Sequence, residues 1–368
     1  MTKTELLNKY TSVTPLAKTL SDRPVVLYGT GNGADKVIKM ILGPLGIKPA
    51  AVFASDGFVR NREFAGLPVE SFSEVAARYG KDMKILMCFG SDREEVLSFV
   101  EELDAEYDLA IPDVPLYGEG LFDAEYLRAH ADELFEVRSM LADGYSKDLF
   151  DDAVLYRLTG KYKYLKRTQD VADPYRELFG RTSVRSAADC GAYRGETSKM
   201  FLDVFPGIEK VYALEPDPGS YKKMCESVDD PRIVPLNFAA SDGAAEITFS
   251  GSASRGAGAQ GKNRRAKEKT VKTARLDELI KDPVDLVKLD VEGDEEKALL
   301  GAYWIMAEDG PSLSVSLYHR TDDIWKLPLY IKNFSNEYDR VLKYYLRRPR
   351  CVPCWDLTLF AVKEDPWN

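Results

Sequence analysis

Apolar and polar positions alternate along this chain in two similar stretches separated by a different one. In the first stretch, residues 24–28, 50–54, 85–89 and 107–111 are short apolar runs that read as strands. Val37, Ile38, Ile41 and Leu42 recur at helical spacing after the first run, and Ser91-Asp92-Arg93-Glu94 after the third is a capping-box pattern that predicts a helix start. Strand and helix signals in alternation predict a parallel sheet covered by helices. From Gly118 to Arg176 the period is helical throughout: Tyr126, Leu127, Leu134, Phe135, Val137 and Leu141, then Leu149, Phe150, Val154, Leu155 and Leu158. The second alternation places strands at 187–190, 211–214, 233–238, 247–249, 286–289 and 313–317, with two more at 341–346 and 357–362. These last two lie too close together for a helical crossover, so they are expected to pair antiparallel. The chain is therefore expected to be α/β, with a smaller parallel domain over 1–118, a helical connector over 119–175 and a second α/β domain over 176–368.

Composition narrows the class. Hydrophobic residues make up 45% and charged residues 30%, ordinary values for a globular protein. No apolar run approaches the length of a membrane span, and the opening MTKTELLNKY has no signal core, so a cytoplasmic protein without an integral membrane segment is expected. The net charge of −10 argues against nucleic acid as a partner. The basic stretch 262–272 (KNRRAKEKTVK) reads as a solvated loop, and 250–261 (SGSASRGAGAQG) as a mobile one. The 5 cysteines are scattered, and disulfides are not expected. Cys351-Val352-Pro353-Cys354 lacks a second pair, and the chain has only 2 histidines, so no zinc site is expected there and the thiols read as half-buried lead-in to a strand.

Two glycine turns carry candidate chemistry. Gly29-Thr30-Gly31-Asn32-Gly33-Ala34 follows the first strand at the spacing that seats a dinucleotide pyrophosphate, with Asp56 after the second strand as the candidate ribose ligand. Asp189-Cys190-Gly191-Ala192-Tyr193-Arg194-Gly195 is the second turn. The strand after it ends in Glu215, an acid placed to accept hydrogen bonds from ribose hydroxyls, and Asp217-Pro218 starts the next helix. A third feature lies in VDLVKLDVEGDE (284–295). Lys288, Asp290 and Glu292 alternate and share one side while the strand lasts. Ions in an apolar central strand are costly unless paired, and the plain alternative to chemistry is a Lys288–Glu292 pair.

Taken in order and spacing, DCGAYRGETS (189–198), YALEPDP (212–218), NFAASDG (237–243), ARLDEL (274–279) and VKLDVEGDEEKALLGA (287–302) resemble the FkbM family of S-adenosylmethionine-dependent methyltransferases. The resemblance covers roughly residues 174–362. It implies a class I, Rossmann-like, seven-stranded methyltransferase domain with an antiparallel last strand, and S-adenosyl-L-methionine as cofactor. It further implies that Asp189, Gly191, Ala192, Tyr193 and Gly195 surround the methionine part and sugar of the cofactor. Glu215 would hold the ribose, Asn237 or Asp242 would contact adenine, and Asp290 would sit beside the reactive methyl group.

Methyl transfer to an alcohol needs alignment and a base. Asp290 and His319 are the candidate bases, Lys288 completing the set, because strands four and five are neighbours in the expected sheet. A divalent ion among Asp290, Glu292 and His319 is the less favoured version, and no resident metal is expected. His130 reads as solvated. The acceptor expected is a sugar, glycan or related small molecule, with a sugar nucleotide as the ligand to look for at Gly29, Gly31, Gly33 and Asp56. Two rival readings stand beside this one: an NAD- or nucleotide-sugar-dependent oxidoreductase built on the first glycine turn, and a non-catalytic nucleotide-binding module.

Overall fold

In the computed structural model, described for residues 3–10, 16–20, 22–55, 59, 62–179, 184–250 and 268–363, the first alternation forms a six-stranded sheet. Its strands are β1 (Val25–Tyr28), β2 (Ala51–Ala54), β3 (Glu63–Phe64), β4 (Leu67–Ser71), β5 (Lys84–Met87) and β6 (Asp108–Ala110), in the order β3-β4-β2-β1-β5-β6. β1, β2 and β5 are buried along their whole length, as strands covered on both faces must be. The hairpin β3–β4 was not evident in the sequence. Phe64 pairs with Leu67, and both intervening residues, Ala65 and Gly66, have positive φ, the backbone of a two-residue hairpin turn. The capping box lies elsewhere than expected: the helix Glu94–Glu106 has no side-chain cap, whereas Ser71 and Glu74 cap the helix Phe72–Tyr79 reciprocally.

The middle of the chain folds into helices Ala124–Ala129, Ala131–Met140 and Gly144–Thr159, the first and third capped by Asp123 and Asp143. These helices pack into both sheets. One continuous apolar core runs from Val26, Tyr28 and Ile85 through Leu134, Val137 and Phe150 to Leu289, Val315 and Leu346. Polar ties follow the same route: Arg347 pairs with Asp143, and Arg350 with Glu94 and Glu101.

The second alternation forms a seven-stranded sheet from β7 (Ser186–Cys190), β8 (Lys210–Leu214), β9 (Ile233–Leu236), β13 (Leu286–Leu289), β14 (Ser312–Ser316), β15 (Leu342–Arg347) and β16 (Thr358–Lys363). The order is β15-β16-β14-β13-β7-β8-β9. Only β16 is reversed, pairing antiparallel with both β14 and β15. The antiparallel pair expected at the end of the chain is present, and its reversed strand is threaded between two older neighbours. Beside this sheet, β10 (Ala239–Ala240), β11 (Ala245–Ser250) and β12 (Glu268–Ala274) form a small sheet of their own. β12 corrects the reading of 262–272 as a solvated loop: residues 268–272 are a strand paired with β11, with Val271 and Thr273 buried. Residues 251–267, covering the rest of both loop assignments, lie outside the described residues, as does Asp56. Cys351 and Cys354 are free and buried rather than half-buried, beside the fully buried Arg348, which donates to the Cys351 carbonyl.

Candidate active site

β7 delivers Asp189, fully buried, to the carboxyl end of the sheet. The chain then turns at Gly191, with φ +84. Any side chain at Gly191 would collide with the carbonyl oxygen of Asp290, because the ends of β7 and β13 abut there. The turn is a close-approach glycine, and the helix Glu196–Val204 leaves from it. Glu215 stands at the tip of β8, buried. Its two oxygens accept hydrogen bonds from the backbone N–H groups of Tyr193 at 2.9 Å and Asp217 at 2.8 Å. Burial still dominates and pushes its pKa up to about 7. Asn237 uses its amide to donate to the carbonyls of Glu215 (2.8 Å) and Pro216 (3.1 Å), so it fixes the loop that carries Glu215. Asp242 lies after β10, where its carboxylate accepts from Ser241 and its carbonyl from Arg275.

β13 aligns Lys288 with Asp189 in register. Lys288 is paired with that residue at 3.0 Å, and also donates to the Gly191 carbonyl. This is not the Lys288–Glu292 pair weighed from the alternation. The strand ends at Leu289, so the alternation stops before Glu292, which sits in a turn with φ +59. Burial pulls the Lys288 pKa down, but Asp189 and Asp290 outweigh it and the net shift is upward. Ser198 donates to the second oxygen of Asp189.

β14 lies beside β13, and its extension brings His319 over the end of the neighbouring strand. His319 is 0% exposed. Its Nε2 stands 3.6 Å from Asp290 Oδ1 and 3.6 Å from Glu292 Oε2, while Nδ1 faces Glu295 Oε1 at 2.8 Å. Glu295 Oε1 is itself fixed by the N–H of Val291 at 2.9 Å. Tyr318 donates to Asp290 Oδ1 and Tyr117 to Glu292 Oε2, each at 2.9 Å. Burial lowers the pKa of His319, but the carboxylates of Glu295, Asp290 and Glu292 raise it further, to about 9. The backbone of this loop is held from outside the sheet, by the end of the first stretch and by the connector. Tyr117 N–H donates to the His319 carbonyl at 3.0 Å, and the buried Arg157 donates to the carbonyls of Leu317 and Thr321.

Residues 189–348 match the model of the methyltransferase FkbM domain. The chain carries an FkbM methyltransferase domain. The crystal structure of methyltransferase FkbM from Methylobacillus flagellatus KT resembles the whole molecule, with a TM-score of 0.65 over 98% of this chain and 93% of that one, at 19% identity. Smaller likenesses, confined to about half of this chain, include an rRNA methylase from Streptococcus thermophilus (TM-score 0.32, 14% identity, 53% of this chain and 94% of that one). A putative methyltransferase from Streptococcus mutans in complex with SAH is similar to the same extent (TM-score 0.34, 12% identity, 53% and 99%). Among curated proteins, none matches this chain in sequence.

Within the FkbM domain, the strand-end logic of an open α/β sheet brings Asp189, Gly191, Glu215, Asp290 and His319 to one edge. Glu295, Tyr318 and Tyr117 escaped the sequence reading. Glu295 was detectable as the acid opening the helix after VEG, but its contact with His319 depends on the turn at Glu292. Beside the domain is a cavity of about 530 Å³ lined by Tyr117, Tyr126, His130, Arg320, Trp325 and Lys326 among others. His130 is not merely solvated, as the sequence suggested: its ring stacks on Trp325 at 4.7 Å and packs on Tyr126 at 4.4 Å. At the first glycine turn, Gly33 packs so tightly on the Cys88 carbonyl that a side chain would collide with it, which gives this glycine a helix-packing task. The helix it opens, Asn32–Val37, is 6 residues long.

Proposed function

We propose that the FkbM domain uses S-adenosyl-L-methionine to methylate a hydroxyl group of a sugar, glycan or related small molecule. S-Adenosylmethionine, when bound, supplies a methyl carbon already activated on a sulfonium, which leaves alignment and proton removal to the protein. Its binding site is the Gly191 turn with Glu215. Each oxygen of the buried Glu215 carboxylate accepts one backbone N–H, which leaves acceptor capacity for the two hydroxyls of a ribose diol. Asp189, neutralised by Lys288, and the backbone of residues 191–195 complete the cradle. Asn237 holds the Glu215 loop from below.

The observation that carries the reading is the meeting of Asp290, Glu292 and His319 at the strand ends beside this cradle, with the 530 Å³ cavity next to them. Tyr117 donates to Glu292 and also lines the cavity, as does Gly293 next to Glu292, so the cavity adjoins the carboxylate–imidazole cluster that would take the hydroxyl proton of an acceptor. Stacked aromatic rings with charged groups around them suit a polyhydroxylated acceptor, which presents apolar faces and many donors at once. Release of S-adenosylhomocysteine on a panel of free and nucleotide-linked sugars tests this reading. Turnover on at least one, lost in Asp290→Asn, is expected. Tight cofactor binding with no turnover on any acceptor would favour a non-catalytic module instead.

A further inference from the structure

We propose that Asp290, Glu292 and His319 form a binding site for a divalent transition-metal ion, with Glu295 orienting the histidine from behind. The sequence makes an ion among these three residues the less favoured version, with no resident metal expected; the geometry of the side chains reverses that preference.

Two of the proposed ligands, Asp290 and His319, and the orienting Glu295 already lie together, their donor atoms all within 4.8 Å of one another. His319 Nε2 is buried with no hydrogen-bond partner among the described residues, and it is aimed between two carboxylate oxygens, 3.6 Å from each. That separation is too long for a hydrogen bond. It suits atoms that share an ion: ligands at about 2.1 Å from one centre stand roughly 3–3.6 Å apart at tetrahedral to octahedral angles.

The surroundings are those of a metal ligand set rather than an ordinary ion pair. Glu295 Oε1 meets the far nitrogen, Nδ1, at 2.8 Å and is anchored by the Val291 N–H, the carboxylate–histidine relay that fixes tautomer and ring orientation for a metal on Nε2. Each metal-facing oxygen accepts one tyrosine hydroxyl, from Tyr318 or Tyr117, which holds it in place and leaves lone-pair capacity inward. Charge points the same way. Three carboxylates converge on one imidazole, and the neighbouring cations are engaged elsewhere: Lys288 on Asp189, and Arg320 on the Gly293 carbonyl and Asp294. The site is closed behind and open in front. The His319 and Glu295 side chains are 0% and 1% exposed, while those of Asp290 and Glu292 are 19% and 40% exposed, so solvent or an acceptor oxygen can complete the coordination from their side. One imidazole with two carboxylates suits Mn²⁺ or Zn²⁺ better than Ca²⁺ or Cu⁺. Under the methyltransfer reading, such an ion would acidify the acceptor hydroxyl, whose proton passes to a carboxylate of the site or to water.

The test is binding of Mn²⁺ to the chelator-stripped full-length chain, followed by loss of its free-ion electron paramagnetic resonance signal and by calorimetry. One ion per chain is expected, displaced by Zn²⁺. Affinity should fall beyond detection in His319→Ala and by about 10–100-fold in Glu295→Gln, which keeps the ligands but breaks the relay. S-Adenosylmethionine binding, measured in chelator, serves as the control for folding of each variant. Absence of Mn²⁺ binding at millimolar ion, or binding unchanged in His319→Ala and Glu295→Gln, overturns the proposal. Cofactor binding without metal binding sinks the ion alone, whereas metal binding without cofactor binding sinks the methyltransferase reading and leaves the ion site standing.

Discussion

Glu215 shows how one buried side chain ties stability to ligand. Its folded pKa, about 7, lies above the usual carboxylate range because burial outweighs its two backbone hydrogen bonds. Between the two values the folded chain holds a proton that the unfolded chain has lost, so ionising Glu215 weakens the cofactor-free fold as pH rises toward 7. Bound ribose hydroxyls favour the ionised form. Cofactor affinity, measured calorimetrically, should therefore fall as pH drops below 7, and Glu215→Ala should remove both the pH dependence and at least about tenfold of the affinity. Lys288 is a second case. Lys288→Met strands the fully buried Asp189 without its partner and should cost about 3 kcal/mol or more in denaturant unfolding. At this scale the sequence was informative where strand order alone places a residue, as with Asp290 and His319. It was silent on Glu295, whose role depends on a positive-φ turn at Glu292 that no side-chain pattern announces.

Among elements, the helix Gly144–Thr159 does more than connect. Through Arg157 it holds the carbonyls of Leu317 and Thr321 on either side of His319. Arg157→Met should lower kcat with little change in cofactor affinity, since its partners, the Leu317 and Thr321 carbonyls and Asp113, lie outside the cofactor cradle; Arg157→Lys should restore part of the loss. Trp325, on the helix Asp323–Glu337, lines the cavity, and Trp325→Ala should raise the acceptor KM several-fold while leaving cofactor binding intact. The elements that could be read in advance were those with strong apolar runs. β12 was not, because its KTVKT core alternates charge with small β-branched residues and resembles a loop in composition. β4 was hidden by Pro68, tolerable here near the sheet edge beside the short β3.

For the molecule as a whole, the continuous core is the decisive fact. Because apolar packing runs from the first sheet through the connector helices into the second, thermal unfolding should be a single transition, coincident by calorimetry and near-ultraviolet circular dichroism. Two separated transitions would instead make the stretches 1–118 and 176–368 independent units. The alternation of strand and helix signals revealed both sheets. It could not reveal that the helices between them bury surface on both sides, because periodicity shows which face is apolar and not what covers it.

Strand β16 lies between β14 and β15 although it follows both along the chain. The seven-stranded sheet therefore cannot zip together in the order in which its strands occur. Until β16 inserts, β14 and β15 each present an unsatisfied edge, and direct contact between those edges is a competing misassembly. The penalty for this arrangement is paid in time: folding must wait for its last strand to reach the middle of the sheet.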